Sequence, residues 1–342
     1  MFHIVNLKSG MNDINALINI DNNDKNYVLP FINTRGELKN DYLFKNFLLE
    51  WGEYPFLVDT SLIAPDMYDK YNQVNGLLDH SNAFQRKYDF YEKILQVNPN
   101  LIPVISILPT STMRDNVHFL FKLQNRQYKK IAIRVTDLSE NSINNLFTLL
   151  ASSSDPNSIL VLYDIGSIVD KNINTIQIEL SNILQSLSNL YSGLNVSVIS
   201  TSFPSQKTPN RDVWEEIPNL DLPLYFNLKS SFPGINLIYG DYGATNPTSP
   251  MEYIPGMQII PCVTYYDNYH WYQMKTGNSH EFNKFVDLAN CLVSESFYHG
   301  NNFSWGDSQI YQIANKIIKN GNSGTWNGIR INQHITSIAR MT

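Results

Sequence analysis

The sequence predicts an α/β fold, a (β/α)8 TIM-like barrel in which parallel strands alternate with outer helices. Eight short apolar runs rich in β-branched residues recur within about the first 240 of the 342 residues. Segments whose apolar residues have helical spacing separate these runs. Strands that are apolar on both faces are typical of a parallel sheet buried on both sides. The span is also close to the ~250 residues of a typical barrel.

The strands are predicted from their apolar, β-branched character, taken in chain order. They are HIVNLK at 3–8, YVLPFINT at 27–34, FLVDT at 56–60, LIPVISIL at 101–108, KIAIRVT at 130–136, SILVLYDIG at 158–166, NVSVIST at 195–201 and INLIYGDY at 235–242. An open, doubly wound sheet is the alternative. No GxGxxG sequence follows the first strand, so a dinucleotide-binding fold has no support.

The helices between the strands are predicted from stripes of apolar residues, such as Phe44, Phe47, Leu48 and Trp51. The predicted helices cover 11–19, 43–51, 84–97, 116–124, 143–151, 176–191 and 211–217.

The pattern changes after residue 250. Residues 257–267 and 270–275 alternate around an Asp-Asn-Tyr turn, which predicts a β-hairpin. Helices are predicted at 281–297, 308–319 and 330–340. Because no Gly/Ser/Pro-rich linker intervenes, we expect residues 251–342 to be an elaboration of the same domain, packed on the barrel formed by residues 1–250.

Composition narrows the functional classes. The formal net charge of −6 argues against a broad basic face for nucleic acid. Cys262 and Cys291 show no CxxC spacing, so zinc and redox motifs have no support and two reduced thiols are expected. No apolar run reaches the ~18 residues that span a bilayer, and the N-terminus does not resemble a signal peptide. We therefore expect a cytoplasmic protein that does not contact a membrane.

Polar residues stand where the predicted strands end. In a barrel, these side chains converge on one end, where such folds bind their substrates. The predicted convergence has two interpretations, a ligand site and a set of internal salt bridges that plug the barrel. The set comprises Lys8, Asn33, Arg35, Asp59, Arg134, Asp164, Ser200, Ser202, Asp241 and Tyr242.

The aspartates of this set suggest further chemistry. Paired carboxylates can transfer protons as general acid and base. Asp59, Asp164 and Asp241 could also bind a divalent cation through oxygen. However, no DxD, ExD or HxH spacing supports a metal, so none is predicted and the cofactor stays unknown. GxSxG and P-loop motifs are absent, which argues against those hydrolase classes.

The C-terminal part adds aromatic and histidine candidates. Tyr265, Tyr266, His270 and Trp271 of the predicted hairpin would form either a stacking wall over the barrel mouth or ordinary cross-strand packing. In FSWGD at 303–307, a side chain would cap the following helix, or its N-terminus would bind an anion. His334 is either a proton carrier or a packed histidine.

Six motifs, in order along the chain, resemble the phage-associated beta-protein family. They are LVDTSLIAP at 57–65, IAIRVTDLS at 131–139, STSFP at 200–204, GDYGATNP at 240–247, FSWGD at 303–307 and GTWNGIRINQHIT at 324–336. The resemblance implies a barrel-like fold and an association with mobile elements or antiphage systems, without an established reaction. Where the family often has a glutamate at the end of the second strand, this chain has Asn33. If that glutamate were a base or a metal ligand, activity would be weakened or lost here, which keeps a non-enzymatic function open.

Two functions are therefore expected to compete. The first is a barrel of a phage, prophage or antiphage system that binds a ligand or a neighbouring gene product, with Trp271 as an interface anchor. The alternative is a hydrolase of a phosphate-bearing or nucleotide-like ligand, held by Arg134 and Lys8. The candidate catalytic residues are Asp164, Asp241 and His334. The candidate ligand-binding residues are Lys8, Asp59, Arg134, Ser202, Tyr242, Trp271, Trp305, Asp307 and Trp326.

Overall fold

Eight strands close into a parallel barrel in the computed structural model, which describes residues 1–63, 69–248 and 258–341. Residues 64–65 of the LVDTSLIAP motif and residue 257 of the predicted hairpin lie outside the described residues. The barrel strands are β1 (His3–Lys8), β2 (Val28–Thr34), β3 (Phe56–Thr60), β4 (Leu101–Ser106), β5 (Ile131–Val135), β6 (Ile159–Ser167), β7 (Asn195–Thr201) and β9 (Asn236–Asp241). They pair in sequence order, and β9 pairs with β1 to close the barrel, which confirms the predicted fold class.

Helices cover the outside of the barrel between successive strands. They are α1 (Met11–Ile18), α2 (Asn22–Lys25), α3 (Leu48–Glu50), α4 (Lys70–Asn75), α5 (Ser81–Val97), α6 (Met113–Asn125), α7 (Glu140–Ser152), α8 (Ile173–Leu190) and α9 (Asp221–Ser231). A π-helical turn at Leu43–Phe47 leads into α3, so the predicted helix at 43–51 is present but not a regular α-helix.

The predicted helix at 211–217 is wrong. Residues Glu215–Pro218 form a strand, β8, that pairs antiparallel with the second strand of the C-terminal hairpin. A segment of seven residues is too short for a stable isolated helix, whereas the sheet edge offers backbone partners. The helix between β7 and β9 is instead α9, which carries a proline in its first turn, where the missing N–H is tolerated.

The C-terminal part consists of one small sheet and three helices. The hairpin strands are β10 (Cys262–Asp267) and β11 (His270–Lys275), joined by a two-residue turn with positive φ at both Asn268 and Tyr269. The helices are α10 (Lys284–Val293), α11 (Trp305–Ala314) and α12 (Ser323–Ala339). Within the described residues, no helix is long and apolar enough to cross a membrane.

Helix α12 connects the two parts of the fold. Its residues Ile331, Ile335 and Ile338 join the large core between the barrel wall and the outer helices. Its residues Trp326 and Ile329 join a second core with the hairpin, α10 and α11. The C-terminal elements therefore share buried apolar surface with the barrel through this helix.

Strand alternation decides which side chains enter the barrel. On β6, Leu160 and Leu162 belong to the core inside the barrel, whereas Val161 and Tyr163 face the outer helices. Asp164 has the same parity as Leu162 and therefore also points inward. The interior is thus apolar towards the strand starts and polar towards the strand ends.

Candidate functional site

Charged and polar side chains fill the barrel interior near the strand ends. We call this group the charged ring. Its members are buried: six lie in strands, one lies in a helix and one directly follows β9. The charged ring consists of Asn6, Asn33, Asp59, Lys87, Ser106, Arg134, Asp164 and Tyr242.

Arg134 of β5 is the centre of the charged ring. Its Nε donates to Oδ2 of Asp164 at 2.9 Å, and its Nη2 donates to the same oxygen. Its Nη1 donates to Oδ1 of Asn33 at 3.0 Å and to Oδ2 of Asp59 at 2.9 Å. Burial lowers the pKa of Arg134, but the carboxylates of Asp164 and Asp59 more than offset this and raise the pKa above its ordinary value.

Asp59 of β3 has a second cationic partner. Lys87 reaches it from α5 and donates from Nζ to Oδ1 at 2.7 Å, while Ser106 donates its hydroxyl to Oδ2 at 2.5 Å. Burial alone would raise the pKa of Asp59, but Lys87 and Arg134 together hold it below its ordinary value. Asp59 is therefore ionised at neutral pH.

Amide and phenol groups saturate the rest of the charged ring. The Tyr242 hydroxyl donates to Oδ1 of Asp164, and Asn6 donates to Oδ2 of Asp164 at 3.2 Å. Burial, together with the Asp164 carboxylate, raises the pKa of Tyr242 well above its ordinary value, so the phenol stays protonated. Asn33 donates to the amide oxygen of Asn6. Its own amide oxygen accepts from Arg134, so Asn33 fills an acceptor position without adding charge.

The charges of the ring balance. Two cations, Arg134 and Lys87, face two carboxylates, Asp59 and Asp164, and the pairs are buried together. Such a closed network fixes the register of the strands that carry it. A shift in register would separate the pairs, and a buried charge without its partner is strongly destabilising. For these four side chains, the contacts favour the internal salt-bridge interpretation.

A small cavity lies above the charged ring, towards the strand ends. Its volume is about 20 Å³, enough for roughly one water molecule. Its lining combines the top of the charged ring with the segments that follow β1, β3 and β9. These residues are Asn6, Lys8, Asp13, Asn33, Ser61, Ile63, Arg134, Tyr242, Thr245, Asn246 and Pro247.

Arg330 of α12 does not line this cavity but lies near it, because it stacks on Phe203, whose carbonyl accepts from Asn246 of the lining, and its charge acts on Asp13. Sequence reasoning did not single it out. Its guanidinium covers the ring of Phe203 at 4.5 Å, and its buried Nε has no hydrogen-bond partner. Among the described residues, no carboxylate pairs with it. Burial lowers the pKa of Arg330 to about 10, against the opposing effects of Cys262 and Asp13. Arg330 is thus a cation at the mouth whose hydrogen-bonding capacity is not used by the described protein.

Asp13 is the carboxyl group of the cavity lining. Burial raises its pKa to about 6, although the cations Arg35, Lys8 and Arg330 act in the opposite direction. Lys207 is a further cation nearby, because the charge of Arg330 acts on it. Burial is the larger cause of the lowered pKa of Lys207, and the charge of Arg330 adds to it. The mouth therefore places cations around one carboxyl group that titrates near neutral pH.

Asp241 does not point into the barrel. Its neighbour Tyr242 reaches Asp164 inside, so Asp241 faces the opposite side of the strand. There it accepts hydrogen bonds from His3 at 2.8 Å on Oδ1 and from His334 at 2.6 Å on Oδ2. The expected convergence of Asp241 with Asp59, Arg134 and Asp164 in a common cavity is therefore wrong.

The contacts of Asp241 form a buried brace between the barrel wall and α12. The Tyr239 hydroxyl and the Gly243 N–H add two more donors, at 3.0 and 2.8 Å. Burial would raise the pKa of Asp241, but His3 and His334 hold it far below its ordinary value. Burial lowers the pKa of His334, so this imidazole is neutral at pH 7 and donates to an ionised carboxylate.

In the described part of the chain, the residues that could hold a metal ion are His3, Asp241 and His334. Their potential ligand atoms lie within 4.8 Å of one another. A metal-binding histidine normally donates its second ring nitrogen to another group. Here the Nδ1 atoms of both histidines are buried without a partner, and their Nε2 atoms contact separate oxygens of Asp241. This geometry fits a hydrogen-bonded brace rather than a metal centre.

Ser202 belongs to a neighbouring polar group. Its hydroxyl and its backbone N–H donate to Oδ2 of Asp221 at 2.7 and 2.8 Å, and Ser200 donates to Oδ1 at 2.8 Å. Burial raises the pKa of Asp221 to about 6. This contact holds the start of α9 against the end of β7, so Ser202 has a role in positioning these elements.

The hairpin aromatics do not form an exposed wall. Trp271 is 1% exposed and packs against Tyr266, Phe203 and the ring of His334, with ring centroids 4.7 to 5.1 Å apart. Of the predicted wall, the side chain of His270 remains partly exposed. The expectation of Trp271 as an exposed interface anchor is wrong, because the hairpin turns this face onto the barrel.

The remaining candidates lie in the C-terminal core. Trp326 stacks on Phe285 at 5.2 Å, and Trp305 packs on the same core. Ser304 caps α11 by accepting from the N–H of Asp307 at 3.0 Å, as one interpretation of FSWGD predicted. Asp307 accepts from the Tyr265 hydroxyl at 2.7 Å. The candidates Trp305, Trp326 and Asp307 therefore stabilise the elaboration and do not line the cavity at the mouth.

Sequence reasoning missed several partners. Lys87 shares the buried stripe of α5 with Phe84, Tyr91 and Ile94, and a lysine on such a stripe signals a buried carboxylate. His3 gave no comparable signal, because it opens a strand that is buried on both faces.

A family model described as Beta protein matches residues 6–340, which include the whole charged ring, the brace except His3, and all of α12. Among curated proteins, none matches the chain.

Proposed function

The chain belongs to the Beta protein family, as its motifs predicted, and we propose that it binds a small anionic ligand at the barrel mouth. The observation that carries the proposal is Arg330, a half-buried arginine whose buried Nε has no hydrogen-bond partner and which has no carboxylate partner among the described residues. Arg134 and Lys87, by contrast, are fully paired within the charged ring. Guanidinium groups bind carboxylate and phosphate oxygens through paired hydrogen bonds, so Arg330 suits such a ligand.

The surroundings of Arg330 support an anion of limited size. Phe203 offers its ring face beside the guanidinium, and Lys207 adds a second cation. The charged ring below closes the barrel and supplies a rigid base. We place this binding in a phage, prophage or antiphage system, where the bound state would act on a neighbouring gene product as partner.

The test uses phosphate, pyrophosphate, AMP and ATP as probes, with calorimetry and thermal stabilisation as readouts. We expect at least one probe to bind and Arg330→Gln to weaken it roughly tenfold or more, because a charge-assisted hydrogen bond contributes about 1.5–3 kcal/mol. Arg114→Gln is the matched control, since Arg114 is an exposed arginine on α6. Failure of every probe to bind or stabilise the protein would refute the proposal.

One observation favours hydrolysis as a second candidate function. Asp13, with a pKa of about 6, stands among the cations of the mouth and could transfer a proton near neutral pH. This assignment moves proton transfer away from Asp241 and His334, which lie behind the barrel wall. A hydrolase would turn over pyrophosphate or a nucleotide, and Asp13→Asn would abolish turnover while leaving binding intact. Binding without any turnover would exclude hydrolysis and support ligand binding as the function.

A further inference from the structure

The barrel has a second cavity at the opposite end, where the strands begin. Its volume is about 520 Å³, within the range of small-molecule sites. In barrels of this type the strand-start end normally contributes stability, and the interior is filled by side chains. We call the cavity at the strand starts the lower cavity. Its lining includes Leu29, Ile102, Leu160, Ile238, Lys129 and Lys130.

The deep wall of the lower cavity is apolar and rigid. Leu29, Ile102, Leu160 and Ile238 come from four different strands and belong to or pack on the core inside the barrel. Because strand backbone holds these side chains, the cavity exists before any ligand arrives. Apolar side chains that border an open space lack some of the dispersion contacts of a packed core, and an apolar occupant would supply them.

The rim of the lower cavity is basic on one side. Arg126, Lys129 and Lys130 follow one another in the loop between α6 and β5. Glu92 neutralises Arg126 at 3.1 Å. Lys129 and Lys130 are exposed, and within the described residues no carboxylate pairs with either of them. The cavity lining contains no aspartate or glutamate, although the whole chain carries a formal net charge of −6.

An apolar well with cations on one side of its opening selects for an amphipathic anion. We infer that the lower cavity binds a molecule with an unbranched apolar chain and a single terminal acidic group, such as a medium-chain carboxylate. The chain would lie against Leu160 and Ile102, and the acidic group would lie between Lys129 and Lys130. This site is separate from the mouth and does not depend on the function proposed there.

The charge part of the inference is tested with decanoate and decan-1-ol, below the concentrations at which decanoate forms micelles. Calorimetry should show decanoate binding more tightly than the alcohol. Lys129→Gln/Lys130→Gln should weaken decanoate roughly fivefold, because two exposed ion pairs contribute about 1 kcal/mol in total, and should leave decan-1-ol unchanged. These exposed side chains make no ion pair, so the variant should fold normally. Equal losses for both probes would overturn the assignment of the acidic group.

The location is tested by filling the cavity. Leu160→Trp should abolish binding of both probes, and Ile238→Trp, at a half-buried position of the same lining, gives a second filling variant if the first does not fold. Arg330→Gln should leave decanoate binding unchanged, which separates this site from the mouth. If wild-type protein fails to bind decanoate, or if both filling variants fold and still bind it, the inference is wrong.

Discussion

At the strand-end side of the barrel, four charged side chains occupy the interior and the cavity above them measures about 20 Å³, whereas at the strand-start side apolar side chains leave one of about 520 Å³. The difference follows from what each kind of side chain demands. Buried charges must meet their partners at hydrogen-bond distance, so Arg134 pulls β3, β5 and β6 into one arrangement. Apolar side chains have no such directional requirement, so the lower end can remain open.

The difference between the two ends of the barrel predicts the largest loss of stability when Arg134 is replaced. Arg134→Met keeps most of the side-chain volume but leaves Asp164 without a cation and Asp59 with Lys87 alone. We expect the free energy of unfolding in urea to fall by about 3–5 kcal/mol, the usual consequence of leaving a buried charge unpaired.

The double variant Arg134→Met/Asp164→Asn is the control for this effect. It removes one charge of each sign, and Lys87 still faces Asp59. It should therefore recover a large part of the lost stability. If the single variant were as stable as the wild type, the charged ring would not hold the upper end together.

A smaller effect distinguishes the two ends on a single strand. Leu160 lines the lower cavity, whereas Leu162, two residues further on the same face of β6, is fully buried in the packed interior. Leu162→Phe should lower the free energy of unfolding by about 1–3 kcal/mol through overpacking. Leu160→Phe should change it by less than about 1 kcal/mol, because the added atoms enter open space. Thermal and urea unfolding measure both variants. If Leu160→Phe and Leu162→Phe lost the same stability, the lower cavity would not be open in solution.

The sequence predicted the barrel because its evidence is local. FLVDT and NVSVIST are strands with the predicted bounds, and the polar residues at the strand ends include most of the charged ring. The sequence could not decide between Asp241 and Tyr242. Strands buried on both faces lack the apolar–polar alternation that separates inside from outside, so neighbouring residues appear equally suited to the interior.

Other features left no local signal at all. The pairing of β8 with β11 depends on residues more than fifty positions apart, whereas the local pattern of residues 211–217 predicts a helix. The lower cavity is volume that side chains fail to fill, and no residue type marks it in the sequence. Arg330 falls within the GTWNGIRINQHIT motif, but only the fold shows that its guanidinium has no acidic partner among the described residues.

The smallest predicted effect concerns pH, and it should separate the two ends. Burial raises the pKa of Asp13 to about 6, against the charges of Arg35 from the segment after β2, Lys8 from β1 and Arg330 from α12. Below that pH Asp13 is neutral and leaves the cations to an incoming anion. Above it, the carboxylate competes with the anion, so affinity falls as pH rises.

With sulfate, which does not titrate in this range, affinity should fall roughly three- to tenfold between about pH 5 and about pH 7.5. In Asp13→Asn the affinity should stay high and constant. The lining of the lower cavity contains no carboxyl or imidazole group, so binding of decane-1-sulfonate there should not change over the same range. A sulfate affinity that ignores pH in the wild type, or that still falls in Asp13→Asn, would remove Asp13 from the mouth site, because no change in its charge would then be felt by the bound anion.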